Sequence, residues 1–336
     1  RLNKMLARMQ VRLPQERSHA ANKCQPPTAD ILAATVAAAA AAWPHVGAGD
    51  KIAVDGAAVD AMRASLNGAG FAGIIVIGEG EKDEAPMLFN GEIVGHPDVV
   101  ARSIDWDIAV DPVDGTRLAA EGVDGAVAVM AAAERGSMLE SSEVYMMKKI
   151  VSGPAGRGVL DIDASPAENI TMLAGALGKP VDQMRVAVIN KARNFELIAQ
   201  IQAAGAEWVR FDEGDIAMAV AAATQGSGVD MMLGLGGSPE GVVAAVAVQI
   251  LGGFMQTRFA PANTDQIARA LAAGYDLEAK FELDDLVSGE RFVFVLTGIT
   301  DGILARGVRQ IGSALEMQTF VLDSALAGPV ILEHII

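Results

Sequence analysis

From residue 184 onward, short β-branched runs alternate with longer apolar stretches at helical spacing. The pattern predicts strands over 186–189, 207–211 and 229–233, with helices over 195–203, 216–223 and 239–250 between and after them. Short apolar runs bounded by polar or glycine-rich breaks suit buried strands, and their alternation with helices implies parallel pairing through crossovers. The first half is less regular. An alanine-rich run over 31–43 reads as a buried helix, with Thr28 or Asp30 as its cap and Pro44 as its end. A second helix is predicted over 57–66, opened by Asp55-Gly56. Strands are predicted over 74–77, 107–110 and 126–132. The first runs into Gly78-Glu79-Gly80-Glu81 and the second into Asp111-Pro112. Beyond Phe254 the strand rhythm returns, notably over 292–296 and 329–332.

The first 25 residues break from this pattern, with six basic residues (Arg1, Lys4, Arg8, Arg12, Arg17, Lys23) against Glu16 alone. Leu2, Met5, Leu6, Met9 and Leu13 recur at helical spacing there. The segment reads as a helical arm docking on an acidic body or a neighbouring subunit, in preference to a targeting remnant, because serine is sparse. The chain opens on Arg1 without Met, so the natural N-terminus is expected upstream. The expected division is a basic arm over 1–27, an α+β domain over 28–180 and an α/β domain over 181–336, with 256–336 packing back on the first.

Composition narrows the function. Forty-two acidic residues face 26 basic ones in 336, a net charge of −16, which disfavours nucleic acid as a partner. The lone Cys24 can form no internal disulfide, pointing to a reducing, cytoplasmic compartment unless the arm is a targeting remnant. The longest apolar run has 13 residues, short of the roughly 20 that cross a bilayer, so no membrane partner is expected.

The informative residues are carboxylates at strand ends: Asp55, Glu79 with Glu81, Asp111 with Asp114, and Glu240. Ligand sites in open α/β sheets lie beyond the carboxyl ends of strands. Acids gathered there repel one another unless cations stand between them, and an all-oxygen donor set suits Mg²⁺ or Mn²⁺ rather than zinc. No histidine lies near these acids in sequence, which argues against a histidine-based hydrolase. Singly, each acid has an ordinary explanation as a helix cap or turn. Together, Asp111-Pro112-Val113-Asp114-Gly115-Thr116 assigns a job to nearly every position. Two acids can ligate metal on one turn and proline stiffens it. Gly115 lets a phosphate approach backbone N–H groups, and the Thr116 hydroxyl can orient a water.

This motif resembles that of the lithium-sensitive, magnesium-dependent sugar phosphatases, which include inositol monophosphatases and fructose bisphosphatases. Further segments narrow the likeness to the class II fructose-1,6-bisphosphatases. These are Asp55-Gly56-Ala57-Ala58-Val59, Ile77-Gly78-Glu79-Gly80-Glu81, Asp83-Glu84-Ala85-Pro86-Met87-Leu88, Gly91-Glu92, Tyr145-Met146 with Lys148 or Lys149, Gly236-Gly237-Ser238-Pro239-Glu240-Gly241 and Thr297-Gly298-Ile299-Thr300. The resemblance spans about residues 50–302.

It implies a layered αβαβα sandwich, two or more Mg²⁺ or Mn²⁺ ions per site and a homodimer or homotetramer. Asp55 and Glu79 match ligands of one metal; Asp111, Asp114 and Glu240 match ligands of the second. Asp114, Gly115 and Thr116 match the part that touches the scissile phosphate. Tyr145 and Lys191-Ala192-Arg193 match the hold on the sugar and its other phosphate, and Glu213-Gly214-Asp215 matches a segment that binds sugar hydroxyls. The implied reaction removes the 1-phosphate of fructose 1,6-bisphosphate by in-line attack of metal-bound water, in gluconeogenesis. Thr116 orients the water, Glu79 or Glu81 assists, and sedoheptulose 1,7-bisphosphate is a second substrate in some members.

The chain departs from the family in four places. Ala192-Arg193-Asn194 stands where Pro-Arg-His is usual, and Glu213 where Asp is usual. Leu315-Glu316-Met317-Gln318-Thr319 replaces a threonine-rich stretch, and Ala33-Ala34-Thr35-Val36-Ala37 lacks an acid usual before its alanines. The alternatives are an inositol or sugar monophosphatase, against which Lys191 and Arg193 argue, and a silent sugar-phosphate-binding homologue, against which the retained acids argue.

Overall fold

The computed structural model describes residues 27–80, 87–141 and 144–336. The basic arm with Cys24, and the segment 81–86 with Glu81, lie outside the described residues.

The chain opens with helices α1 (Thr28–Ala42) and α2 (Lys51–Leu66), followed by β1 (Ala72–Ile77), β2 (Ile93–Gly95), β3 (Trp106–Asp114), the short helix α3 (Thr116–Glu121) and β4 (Val127–Glu134). These strands join β11 (Phe292–Gly298), β12 (Arg309–Ile311), β13 (Ala314–Asp323) and β14 (Val330–Ile335) in one sheet. Its order is β12-β13-β11-β4-β3-β1-β2, with β14 on β13. The C-terminal strands thus return, after the 157 residues that separate β4 from β11, to complete the sheet that the N-terminal half begins.

The period-2 pattern of β4 shows why both faces of this sheet are covered. Ala128, Met130 and Ala132 face α1 and α2, while Val127, Val129, Ala131 and Ala133 face a second core on the other side. Small side chains on both faces let helices sit close to the strands.

The second sheet contains β5 (Met146–Ser152), β6 (Arg185–Ile189), β7 (Glu207–Phe211), β8 (Met231–Gly237), β9 (Phe254–Phe259) and β10 (Phe281–Glu282), in the order β10-β9-β5-β8-β6-β7. Only β7, β6 and β8 are parallel, joined by helices α5 (Phe195–Ala203) and α6 (Asp215–Ala223); β5 runs antiparallel to β8 and β9. Helix α6 and the helix α7 (Ser238–Ile250) lie between the two sheets, and α4 (Pro166–Leu177) with α5 covers the outer face of the second. The position of α6 and α7 explains their sequences. Nearly every Ala and Val in them is buried, because a helix between two sheets has no solvent face. Each such valine contributes about 1.5–3 kcal/mol by leaving water. The result is a mixed α/β protein in five layers, helices alternating with sheets.

Four local expectations are corrected. Neither Thr28 nor Asp30 caps α1, whose first position follows Pro27 without a side-chain cap. Thr28 Oγ1 donates to Asp323 Oδ2 at 2.5 Å and Asp30 accepts from the Gly70 N–H at 2.9 Å, so both tie α1 to the sheet ends. Helix α2 begins at Lys51 rather than near 57, because Asp50 accepts from the Ala53 N–H at 3.0 Å. Asp55 and Gly56 therefore lie inside α2 instead of opening it; one glycine does not break a capped, packed helix. The strand predicted over 229–233 runs later, to Gly237. Strand β5 is absent from the sequence reading because Lys148 and Lys149 interrupt its apolar run.

Candidate active site

One cleft of about 640 Å³ opens where β1, β3 and β8 end and α6 and α7 begin. Asp55, Glu79, Asp111, Asp114 and Glu240 line it, with Gly115, Thr116, Tyr145, Arg193, Glu213, Gly214 and Asp215. The fold therefore brings most of the sequence-selected residues to one place. Lys191 reaches the cleft through Glu213, its Nζ 3.8 Å from Glu213 Oε1.

The acidic wall is built around a distorted strand. β3 passes through Pro112 to Asp114, and its register on β4 slips between Asp111 and Asp114. A proline is tolerated inside a paired strand only at such an irregularity, since it cannot donate to the ladder. The Val113 N–H turns to Asp111 Oδ1 at 3.1 Å, which holds the loop tight. Gly115, at φ 88°, occupies the left-handed region and turns the chain into α3. The Thr116 hydroxyl donates to the Val113 carbonyl at 3.0 Å.

The acids perturb one another. Burial first and Asp55 second push Glu79 up to about 7. Burial, then Glu240 and Asp215, push Asp114 up to about 8, against the opposing Ile216 N–H and Lys149. Asp111 is pushed well above the carboxylate range by burial and then by Asp114, Glu79, Glu240 and Asp55. Asp55 and Glu240 are raised chiefly by burial, and Lys149 opposes the rise of Glu240. These are desolvated like charges with too little positive charge between them.

The facing wall is held by pairs. Glu213 accepts from Arg117 Nε at 2.8 Å and from the Arg117 N–H at 3.2 Å. Arg193 Nε donates to the Leu235 carbonyl at 2.9 Å. Asn194, where the family's histidine is usual, is buried and brackets Leu235 with Leu235 N–H donating at 2.9 Å and Nδ2 donating at 3.1 Å. Asp215 Oδ2 accepts from Lys149 Nζ at 2.9 Å. Tyr145 keeps 47% of its surface exposed at the rim.

Two of these residues escaped the sequence reading. Lys149 stood in the segment after Tyr145, but nothing there chose between Lys148 and Lys149. Arg117 follows Thr116 with no spacing signal; its use depends on Glu213, 96 residues away.

Could these residues hold a cation? Among the described residues no group of three or more His, Cys, Asp or Glu side chains is drawn together as a ready metal cage. Like charges with nothing between them stay apart. The donor chemistry nevertheless fits a hard divalent ion. All donors are carboxylate oxygens, each of the five acids is held above its ordinary pKa, and Glu240 Oε2 is buried without a hydrogen-bond partner.

Comparison with known proteins follows the same line. The family described as bacterial fructose-1,6-bisphosphatase, glpX-encoded, matches residues 26–329. The chain is 41% identical over 308 residues to an Escherichia coli K12 protein named fructose-1,6-bisphosphatase 2 class 2, across 88% of this chain and 94% of that one. It is 38% identical over 316 residues to proteins of two Synechococcus strains named D-fructose 1,6-bisphosphatase class 2/sedoheptulose 1,7-bisphosphatase, across 88% of this chain and 91% of each.

Proposed function

Because the chain belongs to the family of glpX-encoded bacterial fructose-1,6-bisphosphatases, we propose that this cleft hydrolyses the 1-phosphate of fructose 1,6-bisphosphate to fructose 6-phosphate and phosphate. It is thus a phosphoric monoester hydrolase. The observation that carries the reading is the facing of an unpaired acidic wall and a cation-bearing wall across one cleft. Such a site suits a substrate with a phosphate at each end. The match also spans every residue of the cleft, from Asp55 to Val243.

Asp55 with Glu79, and Asp111 with Asp114 and Glu240, would hold two Mg²⁺ or Mn²⁺ ions. Bound there, these ions supply Lewis-acid charge to the phosphoryl oxygens. The chain's own residues do the rest. Thr116 commits its proton to the Val113 carbonyl, so its lone pairs accept from the attacking water and orient it. Glu79 or Glu81 receives that water's proton. The water oxygen bonds to phosphorus in line as the bond to the sugar oxygen breaks, with no phosphoenzyme, and the departing sugar oxygen takes up the proton that the water gave up. Gly115 lets the phosphate approach the backbone beside Asp114.

At the far end, Lys191 and Arg193, with the backbone at Ala192, hold the second phosphate, and Tyr145 covers the sugar. The Glu213-Gly214-Asp215 segment lines the sugar's path. The five layers support a sandwich of the sugar-phosphatase kind, αβαβα in order. The same reading includes a cytoplasmic role in gluconeogenesis and a homodimer or homotetramer. No helix among the described residues is long and apolar enough to cross a membrane. The Synechococcus names favour sedoheptulose 1,7-bisphosphate as a second substrate.

The test is phosphate release from fructose 1,6-bisphosphate, sedoheptulose 1,7-bisphosphate and inositol monophosphate, each with Mg²⁺, Mn²⁺ or EDTA. Release from the bisphosphates that EDTA abolishes is expected. Release from the monophosphate alone, or from none of the three, overturns the reading.

A further inference from the structure

Strand β5 carries a lysine into the interior. Lys149 has 2% of its side chain exposed, and its Nζ hydrogen bond goes to Asp215 Oδ2 at 2.9 Å. Burying an ammonium is costly unless an anion meets it, so a lysine in this strand needs a reason. The neighbouring backbone is shaped around the pair. A Cβ on Gly236 would stand 1.8 Å from Asp215 Oδ2 and 3.0 Å from Lys149 Nζ, and one on Gly237 would stand 1.8 Å from Glu240 Oε2. The end of β8 thus leaves room at Gly236 for Asp215 and Lys149, and at Gly237 for Glu240.

Lys149 is also within electrostatic reach of two acids other than its partner. Its charge acts on Asp114 and on Glu240, and the charge of Asp215 acts on both in the opposite sense. Two oxygens in this group, Asp215 Oδ1 and Glu240 Oε2, are buried without a hydrogen-bond partner. An ammonium with three protons to donate therefore stands among three carboxylates and is held by one. If that one lost its charge, the ammonium would turn to the other two.

We propose that Asp215 and Lys149 are positioning residues: Asp215 tethers the buried ammonium away from Asp114 and Glu240, leaving those carboxylates free for a divalent cation. The cation-holding role of Asp114 and Glu240 rests on the function proposed above. The tether does not, and it is tested by metal binding rather than turnover. Lys149 in this arrangement is an internal competitor for the metal site, and Asp215 is what restrains it.

The experiment measures Mn²⁺ binding by electron paramagnetic resonance on the full chain and on Asp215→Asn, Lys149→Met and the double variant. Asp215→Asn is expected to weaken Mn²⁺ binding about tenfold or more, because the released ammonium competes for the same carboxylates. The double variant carries neither charge and is expected to return to within about threefold of the parent. A pair that only supports the fold would not show that rescue. Gly236→Ala reaches the pair from outside, displacing the Asp215 carboxylate without neutralising it, and should weaken binding in the same direction with rescue by Lys149→Met. It serves if Asp215→Asn does not fold. Unchanged affinity in Asp215→Asn, or a double variant as weak as the single, overturns the tether. A parent chain that binds no Mn²⁺ overturns it as well. A parent that binds Mn²⁺ but releases no phosphate from fructose 1,6-bisphosphate overturns the functional reading alone.

Discussion

The two walls of the cleft treat charge in opposite ways. On one, Asp55, Glu79, Asp111 and Asp114 are desolvated anions raised above their ordinary pKa. On the other, Lys149 meets Asp215 at 2.9 Å, Arg117 meets Glu213 at 2.8 Å, and Lys191 lies 3.8 Å from the same carboxylate. A buried charge without a partner is a cost the fold carries, and it persists where something outside the chain is meant to meet it. A paired charge is already satisfied and holds position. The second wall is itself graded. Lys149 is buried and close to its partner, whereas Lys191 is 36% exposed and loosely held, hence freer to exchange Glu213 for another anion.

The sharpest way to break this comparison is to remove one unpaired anion. Asp111→Asn is expected to cut phosphate release about 10³-fold, the scale of losing a group that stabilises developing charge. The same change should raise the unfolding midpoint in EDTA by about 2–4 °C, as the cost of burying a carboxyl that would otherwise ionise in water is removed. Activity assays and thermal melts on one preparation check both. A variant that is active, or less stable without metal, would mean the acidic wall is structural.

A smaller effect is expected on the paired wall. Lys191→Met should raise KM for fructose 1,6-bisphosphate about 10- to 100-fold, the worth of one charge-assisted hydrogen bond, with kcat within about threefold. Steady-state kinetics decide it. A fall in kcat at unchanged KM would move Lys191 from binding the far phosphate to the chemistry.

The smallest effect is on stability against pH. Glu79 and Asp114 are pushed from ordinary carboxylate values of 4.5 and 3.8 up to about 7 and about 8. The folded state then binds their protons more tightly than the unfolded state does, so metal-free stability falls as pH rises from about 4 to about 8 and levels off above. A divalent cation takes the place of those protons, and its stabilisation should grow over the same window. Melts from pH 5 to 8.5 with Mn²⁺ or EDTA should diverge by a few degrees. Parallel curves would show that these acids do not meet the cation.

Much of this was legible in the chain. The acids of the cleft sit in short contiguous motifs, so the sequence lays out their spacing directly, as in Asp111-Pro112-Val113-Asp114-Gly115-Thr116. Helix α5 and strand β7 match their predicted bounds. The rest was not local. The resemblance implies Glu213 as a contact for sugar hydroxyls, but that Arg117 and Lys191 meet it is visible only in the fold. Strand β5 hid behind Lys148 and Lys149, because a buried lysine reads as exposed until its partner, 66 residues away, is known.

By itself, then, the sequence determined the chemistry on offer: oxygen donors at strand ends, a glycine turn beside them, cations farther along the chain, and an alternating α/β body to carry them. Those depend on residue type and short-range order, which covalent geometry enforces. Only the tertiary structure decided which charges meet. The pairing of Lys149 with Asp215, of Glu213 with Arg117, and the company of four other carboxylates around Asp111 depend on distance and burial across the two sheets. Electrostatic cost is set by those, not by position along the chain.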